Sequence, residues 1–344
     1  MATKGSKMLT LHDVKSGTLP DGSFDRAIVE MMYDENPSLR DIPFQECNNG
    51  SQHISTIRTG LPTAVWTEFY KGVPASKSGK KQVMNATGSL GSKIIFDYNM
   101  FLKEQANKNG DQFIADEASA HGEALGIAAA TALFYGNVAN DPKGINGFFK
   151  SYSKYGSITS DDKDIVNYVI KGKGSDASVA ALRSIMLVGW GSRSMFGLVP
   201  QGGSMGLVKG TMDTQQLPDD DGNLFKAGIQ DLSYNVGLCI KDFRYGCRIA
   251  NLQLDKWDAT GAPKFFNLLT SAKIRAKSNG DIKRVWYMSK KTWEVIALYL
   301  GQITRANAFT YGDANNGNTP DTLLGIPVAL DDALEVNETA VASA

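Results

Sequence analysis

The stretch from Arg58 to Val83, RTGLPTAVWTEFYKGVPASKSGKKQV, constrains the fold more than any other part of this 344-residue chain. Its first half alternates apolar and polar residues as a β-strand does, and Gly72 and Pro74 then interrupt it. Its second half is cationic, and neither half has enough apolar residues to form a core of its own. The sequence therefore predicts a long hairpin that projects from the molecule and needs a partner.

Composition excludes several classes of function. The 36 Lys and Arg residues balance the 36 Asp and Glu residues, so no overall positive field attracts a nucleic acid. The three cysteines, Cys47, Cys239 and Cys247, match neither a disulfide framework nor a CxxC zinc site, and we expect reduced, buried thiols. The sequence has no signal-peptide pattern and no apolar run of about 18 residues, so we expect a protein that folds in a reducing cytoplasm without a membrane span.

The segment from Asp111 to Tyr135 has small and apolar residues at three- and four-residue steps, which predicts a helix. At 1.5 Å per residue the helix would be roughly 37 Å long, and it would end at Gly136. Because its buried face is mostly Ala and Gly, another backbone can lie close to it. The predicted packing face consists of Ile114, Ala118, Leu125, Ala128 and Ala132.

Further elements follow from turn and periodicity signals, and together they predict an α+β fold. They are a short helix from Asp25 to Tyr33, a buried hairpin from Leu182 to Gln201, a tight turn at Asp221 and Gly222, and a long strand from Tyr234 to Leu252. The alternation of that strand changes parity near Asp242, as a β-bulge would cause. The last hundred residues form a small α/β pattern, and the terminal NETAVASA is too small and polar to pack firmly.

One segment of the sequence has a pattern that is typical of a catalytic site. The sequence GGSMG fits the G-x-S-x-G turn of a serine hydrolase around Ser204. In that fold the histidine follows the serine, whereas His12, His53 and His121 all precede it, so a glycine-rich loop is the favoured interpretation. The PDDDGN segment lacks the alternating ligands of a calcium loop, and the glycine clusters lack the spacing of a nucleotide-binding loop. We therefore expect no enzyme activity, no cofactor and no metal site.

Six segments in series resemble the major capsid proteins of short-tailed bacteriophages, which have the Hong Kong 97-like fold. They are RTGLPTAVWTEFYKGV, the long helix running into ALFYGN, LVGWGSRSMFGLVPQGGSMGL, VGLCIKDFRYGCRIANL, WYMSKKTWEVIALYL and LLGIPVALDD. The resemblance covers roughly residues 55–335. The long strands precede the YMSKKTW and GIPV segments, whereas in many relatives they close the chain, and this order resembles a reordered topology found in one short-tailed branch.

The resemblance implies a domain organisation. Its parts would be an N-terminal arm (1–57), an extended loop that lies over a neighbouring subunit (58–93), a peripheral domain with a spine helix (111–135) and long strands (94–260), an axial domain (261–335) and a loose C-terminal tail (336–344). The inter-subunit contacts of the extended loop would be made by Arg58, Trp66, Phe69, Tyr70, Lys71, Lys77, Lys80 and Lys81. Some shells of this fold join subunits by Lys–Asn isopeptide bonds, but here we expect non-covalent contacts.

The function implied by the resemblance is that of a structural protein of the virion. The chain would assemble in the bacterial cytoplasm as pentamers and hexamers of an icosahedral head that encloses double-stranded DNA. Implied partners are a scaffolding protein, a portal protein, a decoration or cement protein and DNA bound without sequence readout, with no membrane partner. Two alternatives remain open at this point: an encapsulin-like compartment shell of the same fold, and a serine hydrolase built on Ser204.

Overall fold

A computed structural model describes residues 36–106, 110–156, 164–172, 182–203, 207–219, 221–253, 262–280, 282–301, 309–310, 322–334 and 337–343. The predicted helix at 25–33 and Ser204 lie outside the described residues. The described chain combines helices with a large mixed sheet, which agrees with the predicted α+β class.

The strands are β1 (Phe44–Glu46), β2 (Gln52–Gly60), β3 (Gly79–Asp97), β4 (Val169–Lys171), β5 (Leu182–Trp190), β6 (Met195–Val199), β7 (Leu207–Lys209), β8 (Asp213–Pro218), β9 (Leu224–Ile240), β10 (Gly246–Gln253), β11 (Lys283–Met288), β12 (Phe309–Thr310), β13 (Thr322–Leu323) and β14 (Ile326–Leu330). The helices are α1 (Pro37–Asp41), α2 (Tyr98–Ala106), α3 (Gly110–Tyr135), α4 (Phe148–Ser151), α5 (Ala262–Arg275) and α6 (Lys290–Gly301). Short 3₁₀ turns lie at Ile165–Tyr168, Phe243–Tyr245 and Asp332–Leu334.

Strand β9 organises the first part of the sheet. One edge of β9 pairs with β3, and the other edge pairs in turn with β8, β7 and β6. The even-numbered residues of β9 enter the first core, where α3 covers the sheet, because side chains of a strand alternate between its faces. These core residues are Leu232, Tyr234, Val236 and Leu238.

Strand β5 organises the second part of the sheet, which runs from β4 and β10 through β5 and β11 to β14. Every residue of β5 is buried. Met186 and Val188 face the first core, whereas Ile185 and Leu187 face a second core that α5 and α6 cover. A strand covered on both faces needs a continuous apolar run rather than alternation, and β5 has one.

Two predictions for the strands are wrong: the hairpin at 182–201 and the β-bulge near Asp242. The segment from Leu182 to Gln201 does contain two buried strands, but they form no hairpin, because β5 lies between β10 and β11 while β6 lies between β9 and β1. The parity change near Asp242 is not a bulge either. It is the 3₁₀ turn Phe243–Tyr245, which the Asp242 carboxylate begins by accepting a hydrogen bond from the Arg244 N–H.

Helix α3 ends where the sequence predicts, at a close backbone approach. The Gly136 N–H donates to the Ala132 carbonyl at 2.9 Å, and the Gly136 carbonyl accepts from the Gly147 N–H at 2.9 Å. A Cβ at Gly136 would lie 2.4 Å from the Ala132 carbonyl oxygen and 2.5 Å from that of Ile145. Only glycine therefore allows this loop to return against the helix end.

The C-terminal segment is tied to the molecule by a buried ion pair. Glu338 Oε2 lies 2.7 Å from Arg248 Nη2, and both side chains are only 5% exposed. The same carboxylate accepts hydrogen bonds from Ser184 Oγ at 2.6 Å and from the Tyr135 hydroxyl at 2.8 Å. Arg248 also donates to the Tyr152 carbonyl, so both charges are well solvated by protein groups.

Backbone contacts continue along this segment. Asn251 exchanges two hydrogen bonds with the backbone of Val341, and the Tyr155 N–H donates to the Ala342 carbonyl. The prediction of a loose tail is therefore wrong for residues 337–343. Small side chains allow the segment to lie close to the sheet, and the one glutamate in it meets a buried arginine.

Two carboxylates hold helix α1 to the rest of the molecule. Asp41 accepts hydrogen bonds from Lys283 at 2.7 Å and from the Tyr287 hydroxyl at 3.0 Å. Asp331 is fully buried and accepts from the Ser38 N–H at 3.3 Å. Burial raises the pKa of Asp331 to about 6, since desolvation outweighs its hydrogen bonds.

Replacing Gly136 with Ala should lower the unfolding free energy by about 1–3 kcal/mol, because the added methyl group meets two carbonyl oxygens. Urea unfolding of the unassembled subunit measures the change. Gly280→Ala is the control, since a Cβ there would meet nothing within 4 Å. Equal unfolding midpoints for the two variants would contradict the packing described at the helix end.

The variant Glu338→Ala should lose about 3–5 kcal/mol of unfolding free energy, because it leaves Arg248 buried and unpaired. Replacing both partners, as Arg248→Met with Glu338→Leu, should cost less than the single change. The exposed Glu294 provides the control, and Glu294→Ala should change stability little. A Glu338→Ala subunit as stable as this control would mean that the tail is not anchored.

Asp331 should make stability fall as pH rises between about 4 and 6. Its pKa is raised in the folded state, so the folded subunit binds the proton more tightly than the unfolded chain does. The stabilisation by Asp331 is fully present below the pKa of the unfolded chain. It is lost as the pH rises through the pKa of the folded state, which lowers the unfolding free energy by about 3 kcal/mol. We expect the difference in unfolding free energy between wild type and Asp331→Asn to follow this sign, and parallel pH curves would contradict it.

Candidate assembly surfaces

The predicted extended loop is a two-stranded hairpin with a long tip. Strand β2 pairs antiparallel with β3, from Gln52 opposite Ala86 to Gly60 opposite Gly79. Pairing of β3 with β9 stops at Thr87, so residues 79–86 of β3 pair with β2 alone. Residues 61–78 connect the strands without regular secondary structure. The hairpin thus extends past the β3–β9 ladder.

The tip of this hairpin carries aromatic side chains in solvent. Trp66 is 100% exposed and Phe69 is 96% exposed, and Tyr70 next to them is fully exposed as well. Leu61 and Val73 add further exposed apolar surface. Large apolar side chains left in solvent are typical of surfaces that another protein covers.

The predicted lysines of the loop are exposed along the same hairpin. Lys71 forms an ion pair with Glu68. Lys77, Lys80 and Lys81 form no ion pair within the described part of the chain. Lys80 lies opposite Arg58 in the β2–β3 register, which brings two of the predicted contact residues together at the backbone.

Helix α3 packs with a slightly different face from the predicted one. Ile114, Ala118 and Leu125 are buried in the first core, and Ala132 is half-buried. Ala128 is exposed, because the buried side of the helix turns towards other residues near its C-terminal end. These residues are Ala129, Ala130, Leu133 and Phe134.

Strands β8 and β9 form a second hairpin, of which the sequence predicts only the turn. Pro218 pairs with Leu224, and Asp219 Oδ1 holds the turn by accepting from the N–H groups of Asp221 and Asn223. Asp219 and Asp221 are exposed, and so is Asp213 at the start of β8. The sequence signal for this surface is the DDD run, because three consecutive carboxylates are typical of an acidic patch as well as of a turn.

The described residues offer little for catalysis. They contain no cluster of His, Cys, Asp and Glu suited to a metal ion, and no helix among them is long and apolar enough to span a bilayer. The three cysteines are free and buried, and burial raises the pKa of the Cys247 thiol to about 12. His121 bonds Ser92 Oγ at 2.5 Å across the α3–β3 contact, so it acts in packing.

Solved structures provide the first comparison. A chain in the structure of bacteriophage Epsilon15 matches this one with a TM-score of 0.67 and 22% identity, covering 100% of both chains. The bacteriophage JBD30 capsid matches with a TM-score of 0.46 and 12% identity over 97% of each chain. The SrpI encapsulin from Synechococcus elongatus matches with a TM-score of 0.39 and 8% identity, covering 64% of this chain and 89% of that one. The Epsilon15 match agrees with the predicted Hong Kong 97-like fold, and the other two carry no further weight.

Sequence comparisons give two results. A search of curated proteins finds no match. The family model for major capsid protein GP7 matches residues 20–342. This family is one of structural capsid proteins and not of enzymes. Since the match spans nearly the whole sequence, the chain belongs to the major capsid protein GP7 family.

Proposed function

We propose that copies of this chain assemble as pentamers and hexamers into an icosahedral head around double-stranded DNA, with the extended hairpin of each copy resting on a neighbour. The single observation that carries the proposal is the exposure of Trp66, Phe69 and Tyr70 on a hairpin that the described residues of its own chain do not cover. Membership in a capsid family supports a shell of many copies.

Burial of the aromatic tip supplies a driving force for such contacts. An aromatic side chain covers about 150–250 Å², and each Å² of apolar surface removed from water contributes about 25 cal/mol. Each ring can therefore contribute on the order of a few kcal/mol when a neighbour covers it. Contacts of this size, repeated around a ring of subunits, stabilise a shell by number.

The proposed domain organisation follows the family resemblance, with residues 1–57 as the N-terminal arm and residues 58–93 as the extended loop. The boundary at residue 260 needs adjustment in this proposal. Strands β4, β5 and β10 contribute side chains to the second core, together with α5 and α6. We therefore assign strands β4, β5 and β10 to the axial unit, together with most of 261–335.

Further partners belong to the proposal as well. A scaffolding protein, a portal protein and a decoration protein would meet the assembled shell, and assembly would take place in the host cytoplasm. DNA would contact the inner surface without sequence readout, which suits a chain whose formal net charge is +0. Non-covalent contacts, rather than Lys–Asn bonds, would hold the loops.

The two alternatives have less support. An encapsulin-like shell would share the fold and enclose enzymes, but the matched family is a capsid family. A serine hydrolase would need Ser204, which lies outside the described residues, and the family is not enzymatic. Neither alternative has a specific observation in its favour.

Negative-stain electron microscopy of the purified protein, alone and with scaffolding protein, tests the proposed function. Closed shells or rings of five and six subunits are the expected result. A small oligomer of one size under all assembly conditions would overturn it.

Trp66→Ala should impair assembly without affecting the folded subunit, because the side chain is 100% exposed. Loss of a central aromatic contact costs about 2 kcal/mol or more, so the protein concentration needed for assembly should rise by at least about ten-fold. Light scattering at increasing protein concentration measures this threshold.

The matched control is Trp293→Ala in the second core, where the side chain is 7% exposed. That variant should instead lose about 3–5 kcal/mol of unfolding free energy. If Trp66→Ala assembles at the wild-type threshold, the aromatic tip is not a subunit contact.

A further inference from the structure

One end of the molecule carries unpaired positive charge. Lys77, Lys80 and Lys81 lie where the tip of the extended hairpin joins β3, and all three side chains are exposed. No ion pair to them is present among the described residues, whereas Lys71 nearby is matched by Glu68. We call these three lysines the basic tip.

Another part of the molecule carries unpaired negative charge. Asp213, Asp219 and Asp221 on the β8–β9 hairpin are exposed, and the described residues supply them with no cation at ion-pair distance. Beside them, Leu224 is 65% exposed and Met212 is 39% exposed. We call this surface the acidic hairpin.

The β3–β9 ladder keeps these two surfaces apart. The strands are antiparallel, with Thr87 opposite Gly237 and Asp97 opposite Ala227. The basic tip therefore lies beyond one end of the ladder, and the acidic hairpin lies at the other. At about 3.3 Å per residue, followed along β3 and then along β9, Lys80 of the basic tip lies roughly 75 Å from the β8–β9 turn.

Charges this far apart do not neutralise each other within one chain, since the Debye length is about 8 Å at physiological salt. Two complementary surfaces beyond opposite ends of the β3–β9 ladder instead suit contact between copies. Such a contact is head-to-tail, because each copy uses a different surface towards each neighbour, and head-to-tail contacts generate rings when the rotation closes.

We propose that the basic tip of one copy docks on the acidic hairpin of the next copy, so that charge pairing sets the direction of subunits around each ring. This inference rests on the proposed function and names the surface that receives the hairpin. The exposed aromatic rings of the tip then pack on Leu224 and Met212, while the charged groups at the rim guide the encounter.

The test uses full-length variants with reversed charge. The basic-tip variant is Lys77→Glu, Lys80→Glu and Lys81→Glu, and the acidic-hairpin variant is Asp213→Lys and Asp221→Lys. Asp219 is left in place, because its carboxylate holds the turn. Thermal unfolding of the unassembled subunits should be unchanged, since the replaced side chains are exposed.

For each variant alone, the protein concentration needed for assembly should rise by about ten-fold or more at about 0.15 M salt, because every contact between copies becomes repulsive. A chain that carries both sets of changes should assemble again. An equimolar mixture of the two variants should form even-membered rings, since oppositely changed copies can alternate around six positions but not around five. Native mass spectrometry and electron microscopy distinguish these species.

The control reverses exposed lysines elsewhere, as Lys103→Glu, Lys143→Glu and Lys154→Glu, and should assemble as wild type does. Wild-type assembly by either single variant would overturn the contact, and so would failure of both the mixture and the doubly changed chain. Equal failure of the control would also overturn it, since the effect would then follow net charge. If the wild-type protein itself never forms rings or shells, the proposed function fails and this contact falls with it.

Discussion

The antiparallel ladder between β3 and β9 is the contact on which the other features depend. It joins residues 87–97 to residues 227–237, and α3 packs across it to form the first core. Because ladder hydrogen bonds and core packing hold both strands, the hairpin that continues from β3 is supported at its base, although the aromatic side chains at its tip are exposed. The same ladder carries the β8–β9 hairpin at its other end. The shape of the subunit, a packed body with projections at two ends, follows from the length of these two strands.

Residues 36–41 and 337–343 are held by contacts within the chain, whereas the tip of the projecting hairpin is exposed. Arg248 and Glu338 are buried among hydrogen-bond partners, and Asp41 and Asp331 hold helix α1 in place, so these contacts are completed within one chain. Trp66 and its neighbours are left in solvent. This contrast suits a protein of a capsid family, since a shell forms from subunits that are stable before they meet and that keep apolar surface for contacts with other molecules.

Local signals in the sequence predicted local structure well. The 3.6-residue pattern and Gly136 indicated α3 and its end, because helix periodicity and a glycine terminus are properties of neighbouring residues. Strand partners could not be predicted in this way. The apolar runs of β5 and β6 indicate buried strands, but they do not specify which distant strands pair with them. The anchored tail was also missed. In the sequence alone, Glu338 is predicted to be exposed, because its partner Arg248 is distant in sequence and only the fold brings the two together.

Hydrogen–deuterium exchange, measured on free subunits and on assembled shells, tests the central claim that neighbouring copies complete the hairpin. Amides of residues 61–78 should exchange rapidly in free subunits and become protected in shells. Residues 337–343 should be protected in both states, because their contacts lie within one chain. Rapid exchange of residues 61–78 in closed shells would contradict the claim that the hairpin finds its partner in another copy.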